Sequence, residues 1–221
     1  MGKLFGVGVG PGDKELLTLK AVKTIKNCQV IVAPSAMKGG KSIALEIAEE
    51  YIGENTEVMI KHFPMGGEEQ DDKIYEAFQS IKDKLDKGLD VAFLTIGDPF
   101  IYSTYIYLLR HLREEGYETE TVPGITSFCA CASIAGEPLV IGDEPLLILP
   151  GTKINEIRNE KYIVIMKVYK MEEEIINYLE EKGFKYVYIA RAGREGEKIL
   201  TNKEDILQCR EYMSMIIANR V

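Results

Sequence analysis

Two loops of this 221-residue chain carry the residue types that could bind and orient a polar ligand. The first, Thr95-Ile96-Gly97-Asp98-Pro99, follows an apolar segment and leads into Ser103 and Thr104. Gly97 permits close backbone approach, Pro99 fixes the chain direction, and Asp98 either stabilises the turn or is functional. The second loop, Pro123–Ser127, offers free backbone groups and two hydroxyls. Together they predict a crevice able to hydrogen-bond a nucleoside and an amino-acid zwitterion.

Alternating strand and helix signals predict the scaffold that positions these loops. Apolar runs predict strands at residues 4–9, 30–33, 57–61, 91–95 and 118–122. Helical periodicity predicts helices at residues 15–25, 42–52, 71–87 and 103–115, the second capped by Ser42. Because the strands are apolar runs rather than alternating patterns, we expect a mainly parallel sheet covered by helices on both faces, with Val91–Thr95 at its centre. Ligands of such sheets bind in the loops beyond the carboxyl ends of the strands.

The second half of the sequence has a different pattern, typical of a smaller mixed α+β unit. Strands are expected at residues 146–149, 162–168, 186–190 and 213–217, with helices at 172–182 and 204–209. The predicted fold class is therefore α/β, with an N-terminal domain at residues 1–122 and a C-terminal mixed domain at 123–221.

Two glycine-rich segments resemble nucleotide-binding motifs but fail on spacing. In the segment Gly6–Asp13, the last glycine required by G-x-G-x-x-G is replaced by Pro11 or Asp13, depending on the starting glycine. The segment Lys38–Ser42 resembles the end of a P-loop. That motif requires a glycine six residues before Lys41, where this chain has Ser35. The second segment is then either a flexible loop before a capped helix or a basic flap over an anionic ligand.

Net charge and composition exclude several classes of function. The net charge of −8 disfavours nucleic-acid partners, although a few local cations suffice for an anionic small molecule. No apolar run is long enough for a membrane span, and the glycine-rich N-terminus predicts no secretory signal. The four cysteines lack zinc-ligand spacing and are expected to be reduced, which favours the cytoplasm. His62 and His111 lie far apart, so we expect no protein-bound metal.

Three segments resemble the signatures of the tetrapyrrole (corrin/porphyrin) methylase family. They are GVGVGPGDKELLTLKA at Gly6–Ala21, IGDPFIYST at Ile96–Thr104 and VPGITSFCACA at Val122–Ala132. Their order and spacing also fit, and the resemblance extends over essentially the whole chain. It implies the family's two-lobed fold, S-adenosylmethionine as methyl donor, and a homodimer.

Within that family, two segments are similar to the enzymes that methylate carbon 20 of precorrin-2 or cobalt-factor II on the route to cobalamin. These are GDPFIYSTYIYL, which starts at Gly97, and APSAMKGGKSIALEIA at Ala33–Ala48. The uroporphyrinogen methylases differ by a Gly-Gly-Asp-Pro with a Gly-Arg-rich continuation, which this chain lacks. The alternatives left open are another enzyme of the superfamily, such as a diphthine synthase, and a non-catalytic nucleotide-binding module.

The resemblance also implies roles for individual residues. The methyl donor is expected to contact Pro11, Gly97, Asp98, Ile101, Thr126, Ser127, Met166 and Ala190. The tetrapyrrole is expected to contact Asp13, Lys38, Lys41 and Arg191, with Lys153 and Arg194 as further candidates to pair with its carboxylates. A methylated bridging carbon must lose its proton, and Asp98 is the acidic residue of the core motifs expected to face the crevice, so it is the predicted catalytic base.

Overall fold

The computed structural model describes residues 1–35, 39–63 and 69–220. The chain divides into two compact units, Met1–Thr126 and Ser127–Val221. This division lies in the loop that begins directly after the boundary placed at residue 122 by the sequence. No helix within the described ranges is long and apolar enough to cross a membrane.

The first unit contains a five-stranded parallel sheet. Its strands are β1 (Leu4–Gly8), β2 (Val30–Ser35), β3 (Glu57–His62), β4 (Val91–Thr95) and β5 (Thr119–Val122), arranged in the order β3-β2-β4-β1-β5. All five residues of β4 are buried, and this strand occupies the centre, as predicted. The parallel arrangement brings the loops after β1, β4 and β5 to the same edge of the sheet.

Helices cover both faces of this sheet. They are α1 (Leu19–Asn27), α2 (Ile43–Ala48), α3 (Glu69–Asp86) and α4 (Tyr105–Glu114). The helix predicted at residues 15–25 is divided into a 3-10 turn and α1, because the Thr18 hydroxyl accepts a hydrogen bond from the Ala21 N–H and starts a new helix there. Ser42 caps α2 as expected, through the Leu45 N–H.

Each face of the sheet has its own hydrophobic core. One core packs β-strand residues such as Phe93 against α3 and α4, and the other packs Val7 and Leu94 against α1 and α2. Gly6 makes room for Tyr105 of α4 in the first core, since a Cβ on Gly6 would lie 2.1 Å from the Tyr105 Cζ. The Tyr105 hydroxyl lies 2.9 Å from the Thr121 Oγ1, so this buried phenol keeps a hydrogen bond. Burial raises the pKa of Tyr105.

The second unit contains a five-stranded mixed sheet in the order β6-β7-β10-β8-β9. β6 and β7 are parallel, whereas the other pairings are antiparallel, which confirms the mixed class. In chain order the elements are α5 (Ser127–Ala135), β6 (Leu146–Pro150), β7 (Tyr162–Met166), α6 (Glu172–Glu181), β8 (Lys185–Ala190), β9 (Lys198–Leu200), α7 (Lys203–Cys209) and β10 (Ser214–Asn219). Helix α5 and strand β9 were not predicted from the sequence.

An ion-pair cluster at β5 gives the first unit a defined response to acid. The Glu120 carboxylate lies 2.7 Å from the Lys20 Nζ and 2.8 Å from the Lys3 Nζ. Lys20 and then Lys3 lower the pKa of Glu120 from 4.5 to about 2. Because the pKa is lower in the folded state, this group stabilises the fold above pH 4.5 and loses that effect as the pH falls towards about 2.

We therefore expect Glu120→Gln to reduce the free energy of unfolding near neutral pH, with the difference from wild type shrinking between about pH 4.5 and about pH 2. The effect is small because the side chains are partly exposed. Urea unfolding at a series of pH values measures it. Glu114→Gln, on the exposed side of α4, is the matched control. A Glu120→Gln difference that does not change with pH would contradict the assignment.

Candidate functional site

Backbone hydrogen bonds join the loop after β1 to the loop after β4. The Val9 N–H donates to the Thr95 carbonyl at 2.9 Å and so extends the β1–β4 pairing beyond the strands. Gly10 and Gly97 then exchange two hydrogen bonds, with N···O distances of 2.7 and 3.3 Å. Both glycines have left-handed backbones, with φ of 75° and 71°, a conformation that other residues adopt only at a cost. This geometry explains why both positions are glycine.

The loops after β4 and β5 also meet, although β1 lies between these strands. Strands separated by one neighbour are about 10 Å apart in a sheet, so the two loops must cross over the end of β1. Gly8 ends β1, and a Cβ there would lie 2.5 Å from the Gly124 N. A Cβ on Gly124 would lie 2.1 Å from the Gly97 carbonyl oxygen. We call Gly8, Gly97 and Gly124 the glycine junction, because side chains at Gly8 and Gly124 would force the loops apart.

Asp98 links the same two loops through its side chain. Its Oδ1 accepts a hydrogen bond from the Phe100 N–H at 2.9 Å within its own loop. Its Oδ2 accepts one from the Gly124 N–H at 3.1 Å in the loop after β5. The Asp98 carbonyl also accepts from the Ile101 N–H at 3.2 Å and closes a turn. A carboxylate makes strong hydrogen bonds to backbone donors, so Asp98 holds the junction together.

Two hydroxyls in this unit are candidates for ligand contacts. The Oγ1 atoms of Thr95 and Thr126 are buried, and neither has a hydrogen-bond partner among the described residues. A buried polar atom without a partner costs free energy, which a bound ligand or water can offset. Thr126 was expected at the site. Thr95 was missed, although a lone polar residue in the otherwise apolar strand VAFLT was a usable signal.

The other predicted residues of the first unit lie in the loops around the junction or beyond them. Pro11 is buried, and Ile101 is half-buried in the loop after β4. Asp13 accepts a hydrogen bond from the Glu15 N–H at 2.9 Å and caps a 3-10 turn, so its carboxylate stabilises the local backbone. Lys41 is exposed directly before the capping residue of α2. Lys38 lies outside the described residues.

The second unit brings Met166 and Ala190 to one edge of its sheet. Met166 ends β7 and pairs with Met215, and Ala190 ends β8 and pairs with the neighbouring Ser214. Since β7 and β8 are both antiparallel to β10, their carboxyl ends point the same way. Ser127, at the start of α5, belongs to this unit.

The basic candidates of the second unit lie at different places. Arg191 follows β8 and has a left-handed backbone with φ of 55°. Its N–H donates to the Met213 carbonyl at 2.8 Å, which fixes the backbone where the strand ends. Arg194 lies three residues farther along, and its N–H donates to the Arg191 carbonyl at 2.9 Å. Lys153 is separate from both, and its Nζ pairs with Glu156 at 2.8 Å.

Among the described residues, the nucleophilic and metal-ligating side chains are dispersed. All four cysteines are free, and burial raises the pKa of the Cys28 and Cys131 thiols to about 12. These two thiols are therefore protonated at neutral pH and are weak nucleophiles. Within residues 1–35, 39–63 and 69–220, no three His, Cys, Asp or Glu side chains are grouped as metal ligands.

Comparison with known proteins decides the family. The sequence profile of the tetrapyrrole (corrin/porphyrin) methylases matches residues 3–207. This chain belongs to that family. It is 38% identical, over 99% of its length and 96% of the relative's, to a Methanocaldococcus jannaschii protein named "Probable cobalt-precorrin-2 C(20)-methyltransferase". It is 32% identical, over 99% and 97% of the two chains, to the cobalt-precorrin-2 C(20)-methyltransferase of Salmonella typhimurium.

Other relatives support the same placement. A precorrin-2 C(20)-methyltransferase from a Sinorhizobium species is 31% identical over 98% of this chain and 95% of its own. Among solved structures, a cobalt-precorrin-4 methyltransferase has a TM-score of 0.79 at 20% identity, covering 98% of this chain and 94% of the other. A Thermus thermophilus uroporphyrin-III C-methyltransferase complexed with S-adenosylhomocysteine has a TM-score of 0.74 at 19% identity, covering 99% and 98%. These structures share the fold of this family member.

The glycine junction predicts the effect of adding one methyl group. We expect Gly8→Ala to lower the free energy of unfolding by about 1–3 kcal/mol, because the new Cβ would overlap the Gly124 backbone. Amide exchange of Gly124 should also become faster, because the hydrogen bond to Asp98 is pushed apart. Urea unfolding and hydrogen exchange measure the two effects. Gly53→Ala, in a surface turn with one neighbour at 3.2 Å, is the control. Equal effects of the two substitutions would contradict the junction.

Proposed function

We propose that this protein transfers a methyl group from S-adenosylmethionine to carbon 20 of a precorrin-2-type tetrapyrrole in cobalamin biosynthesis. The proposal rests on one observation above all. Three relatives of 31–38% identity, each aligned over nearly the whole of both chains, bear the name of this activity. The two more similar ones are named for the cobalt-containing substrate, so we assign cobalt-precorrin-2 or cobalt-factor II as the preferred acceptor.

The chemistry of the first unit suits the methyl donor. S-adenosylmethionine combines a nucleoside with an amino-acid zwitterion, and both parts bind through hydrogen bonds. Glycines without side chains allow a ligand to approach backbone groups at the loop after β4. The unpartnered, buried Thr126 hydroxyl offers a further group. We assign Pro11, Gly97, Asp98, Ile101, Thr126, Ser127, Met166 and Ala190 to donor binding.

Orientation is the main contribution of the protein to this reaction. When bound, the sulfonium donor supplies a methyl group that is already activated, and the electron-rich bridging carbon of the tetrapyrrole is the nucleophile. The residues therefore act by holding the two reactants in line. Fixed backbone groups are suited to this task because they need no rearrangement when the reaction occurs.

Local cations offset the acidity of the chain where the substrate binds. A tetrapyrrole of this class carries several carboxylates, whereas the protein has a net charge of −8. We assign Lys38, Lys41 and Arg191 to these carboxylates, and Asp13 to substrate binding. Lys41 is exposed, and Arg191 directly follows β8. Charge-assisted hydrogen bonds from such residues are strong enough to orient the macrocycle.

We further propose that the enzyme is a cytoplasmic homodimer without a nucleic-acid partner. The negative net charge opposes binding to a phosphate backbone, and the free cysteines suit a reducing compartment. Sedimentation of the purified protein measures its oligomeric state.

The activity is tested with isotopically labelled S-adenosylmethionine. We expect label at carbon 20 of the cobalt-containing tetrapyrrole, a lower rate with the metal-free form, and none with uroporphyrinogen III. Carbon NMR of the product locates the methyl group. Label at another carbon would contradict the proposed position. In a parallel incubation with elongation factor 2, the protein substrate of diphthine synthases, incorporation of label would contradict the tetrapyrrole substrate.

The role of Lys41 is tested by removing its charge. We expect Lys41→Gln to raise the KM for the tetrapyrrole about tenfold, because one charge-assisted hydrogen bond is lost, with the Kd for S-adenosylmethionine unchanged. Steady-state kinetics and calorimetry measure these constants. Lys87→Gln, an exposed lysine just after α3 and before the start of β4, is the control and should match wild type. An unchanged KM in Lys41→Gln would contradict the assignment of Lys41 to substrate binding.

A further inference from the structure

We propose that Asp98 is a positioning residue in this reaction and not its base. Its carboxylate fixes the loop after β5 against the loop after β4, so that both present their backbone groups to the methyl donor in one arrangement. The inference rests on the proposed function, since it names how one residue of that site acts.

Both oxygens of the Asp98 carboxylate already have partners. The Phe100 N–H and the Gly124 N–H donate to different oxygens, at 2.9 and 3.1 Å. One donor belongs to the loop that carries Asp98, and the other belongs to a loop 26 residues farther along the chain. Each carboxylate oxygen thus accepts a charge-assisted hydrogen bond from a backbone donor of a different loop. The carboxylate therefore acts as a clamp between the two loops.

The glycine junction makes such a clamp necessary. β4 and β5 are not neighbours in the sheet, so no ladder of backbone hydrogen bonds joins their following loops. The absence of side chains at Gly8 and Gly124 lets the loops meet but supplies no attraction between them. Asp98 provides that attraction through the Gly124 N–H, only two residues before Thr126, which we assign to the donor. A change at Asp98 is thus transmitted to the donor site through Gly124.

The two roles of Asp98 make opposite predictions for Asp98→Asn. Asparagine keeps one acceptor oxygen, but its NH₂ group would face one of the two backbone donors. A positioning role predicts that the Kd for S-adenosylmethionine rises about tenfold or more, the effect of losing a hydrogen bond to a charged group. A role as base predicts an unchanged Kd and a fall in kcat of about 10²–10⁴-fold.

The test compares binding and turnover in four proteins: wild type, Asp98→Asn, Gly124→Ala and Asp90→Asn. Calorimetry gives the Kd for the donor, and kinetics with both substrates saturating give kcat and its pH profile. Gly124→Ala disturbs the same junction without touching the carboxylate. Asp90 is the matched control, because its carboxylate accepts a backbone hydrogen bond from the Lys3 N–H at 2.8 Å, but at the opposite end of β4.

We expect Asp98→Asn and Gly124→Ala to raise the Kd, with kcat within about fivefold of wild type and an unchanged pH profile. Asp90→Asn should bind the donor as wild type does. If Asp98→Asn keeps the wild-type Kd but loses one limb of the pH profile of kcat, the proposal is overturned. It is also overturned if Kd, kcat and the pH profile of Asp98→Asn all equal those of wild type. If Asp98→Asn does not fold, the Kd of Gly124→Ala for the donor becomes the deciding measurement. A Kd equal to that of wild type would overturn the proposal. Failure of the wild-type protein to bind the donor or to methylate contradicts the proposed function instead.

Discussion

Three backbone segments lie closer together at the carboxyl end of the first sheet than any side chain would allow. The loops after β4 and β5 reach each other across the last residue of β1, and this is possible only because Gly8 and Gly124 have no Cβ. Backbone groups in such a junction need partners, and they find them in one another and in the Asp98 carboxylate. The arrangement therefore replaces side-chain packing with directed hydrogen bonds at the place where a polar ligand is expected.

The two cores below the junction keep the strand ends in position. Each face of the sheet is closed by two helices, and β4 is buried along its whole length. Close packing on both faces resists displacement of the strands. A few glycines and one carboxylate can then fix the conformation of the loops, because packing holds the strand ends from which the loops start.

Much of the first unit could be predicted from the sequence because its signals are local. Continuous apolar runs such as VAFLT identify buried parallel strands, and Ser42 identifies a helix start. Helix α5 was missed because its residues, SFCACASIA, are small and apolar on most sides, so they lack helical periodicity. Strand β9 was missed because it has three residues and depends on its pairing with β8.

The site was only partly predictable for a related reason. The motif IGDP marked Asp98 and Gly97 as important, but the partner of the Asp98 carboxylate is a backbone N–H distant in sequence. The order of the strands, which places β1 between β4 and β5, explains why Gly8 is a glycine. Sequence periodicity identifies strands but not which strands are neighbours, so the sequence could place Asp98 in the loop after β4 but could not identify the backbone group that its carboxylate binds.

The ring of Tyr105 occupies the space that Gly6 leaves on β1, and its hydroxyl reaches Thr121 on β5. This contact joins the first residue of α4 to two strands and so resists rotation or sliding of the helix on the sheet. The segment between Asp98 and α4 is thereby held at both ends, with the exposed Phe100 and Tyr102 between the anchors. The course of this segment is therefore set from its two ends, by the Asp98 turn and by the Tyr105 ring, rather than by burial of Phe100 or Tyr102.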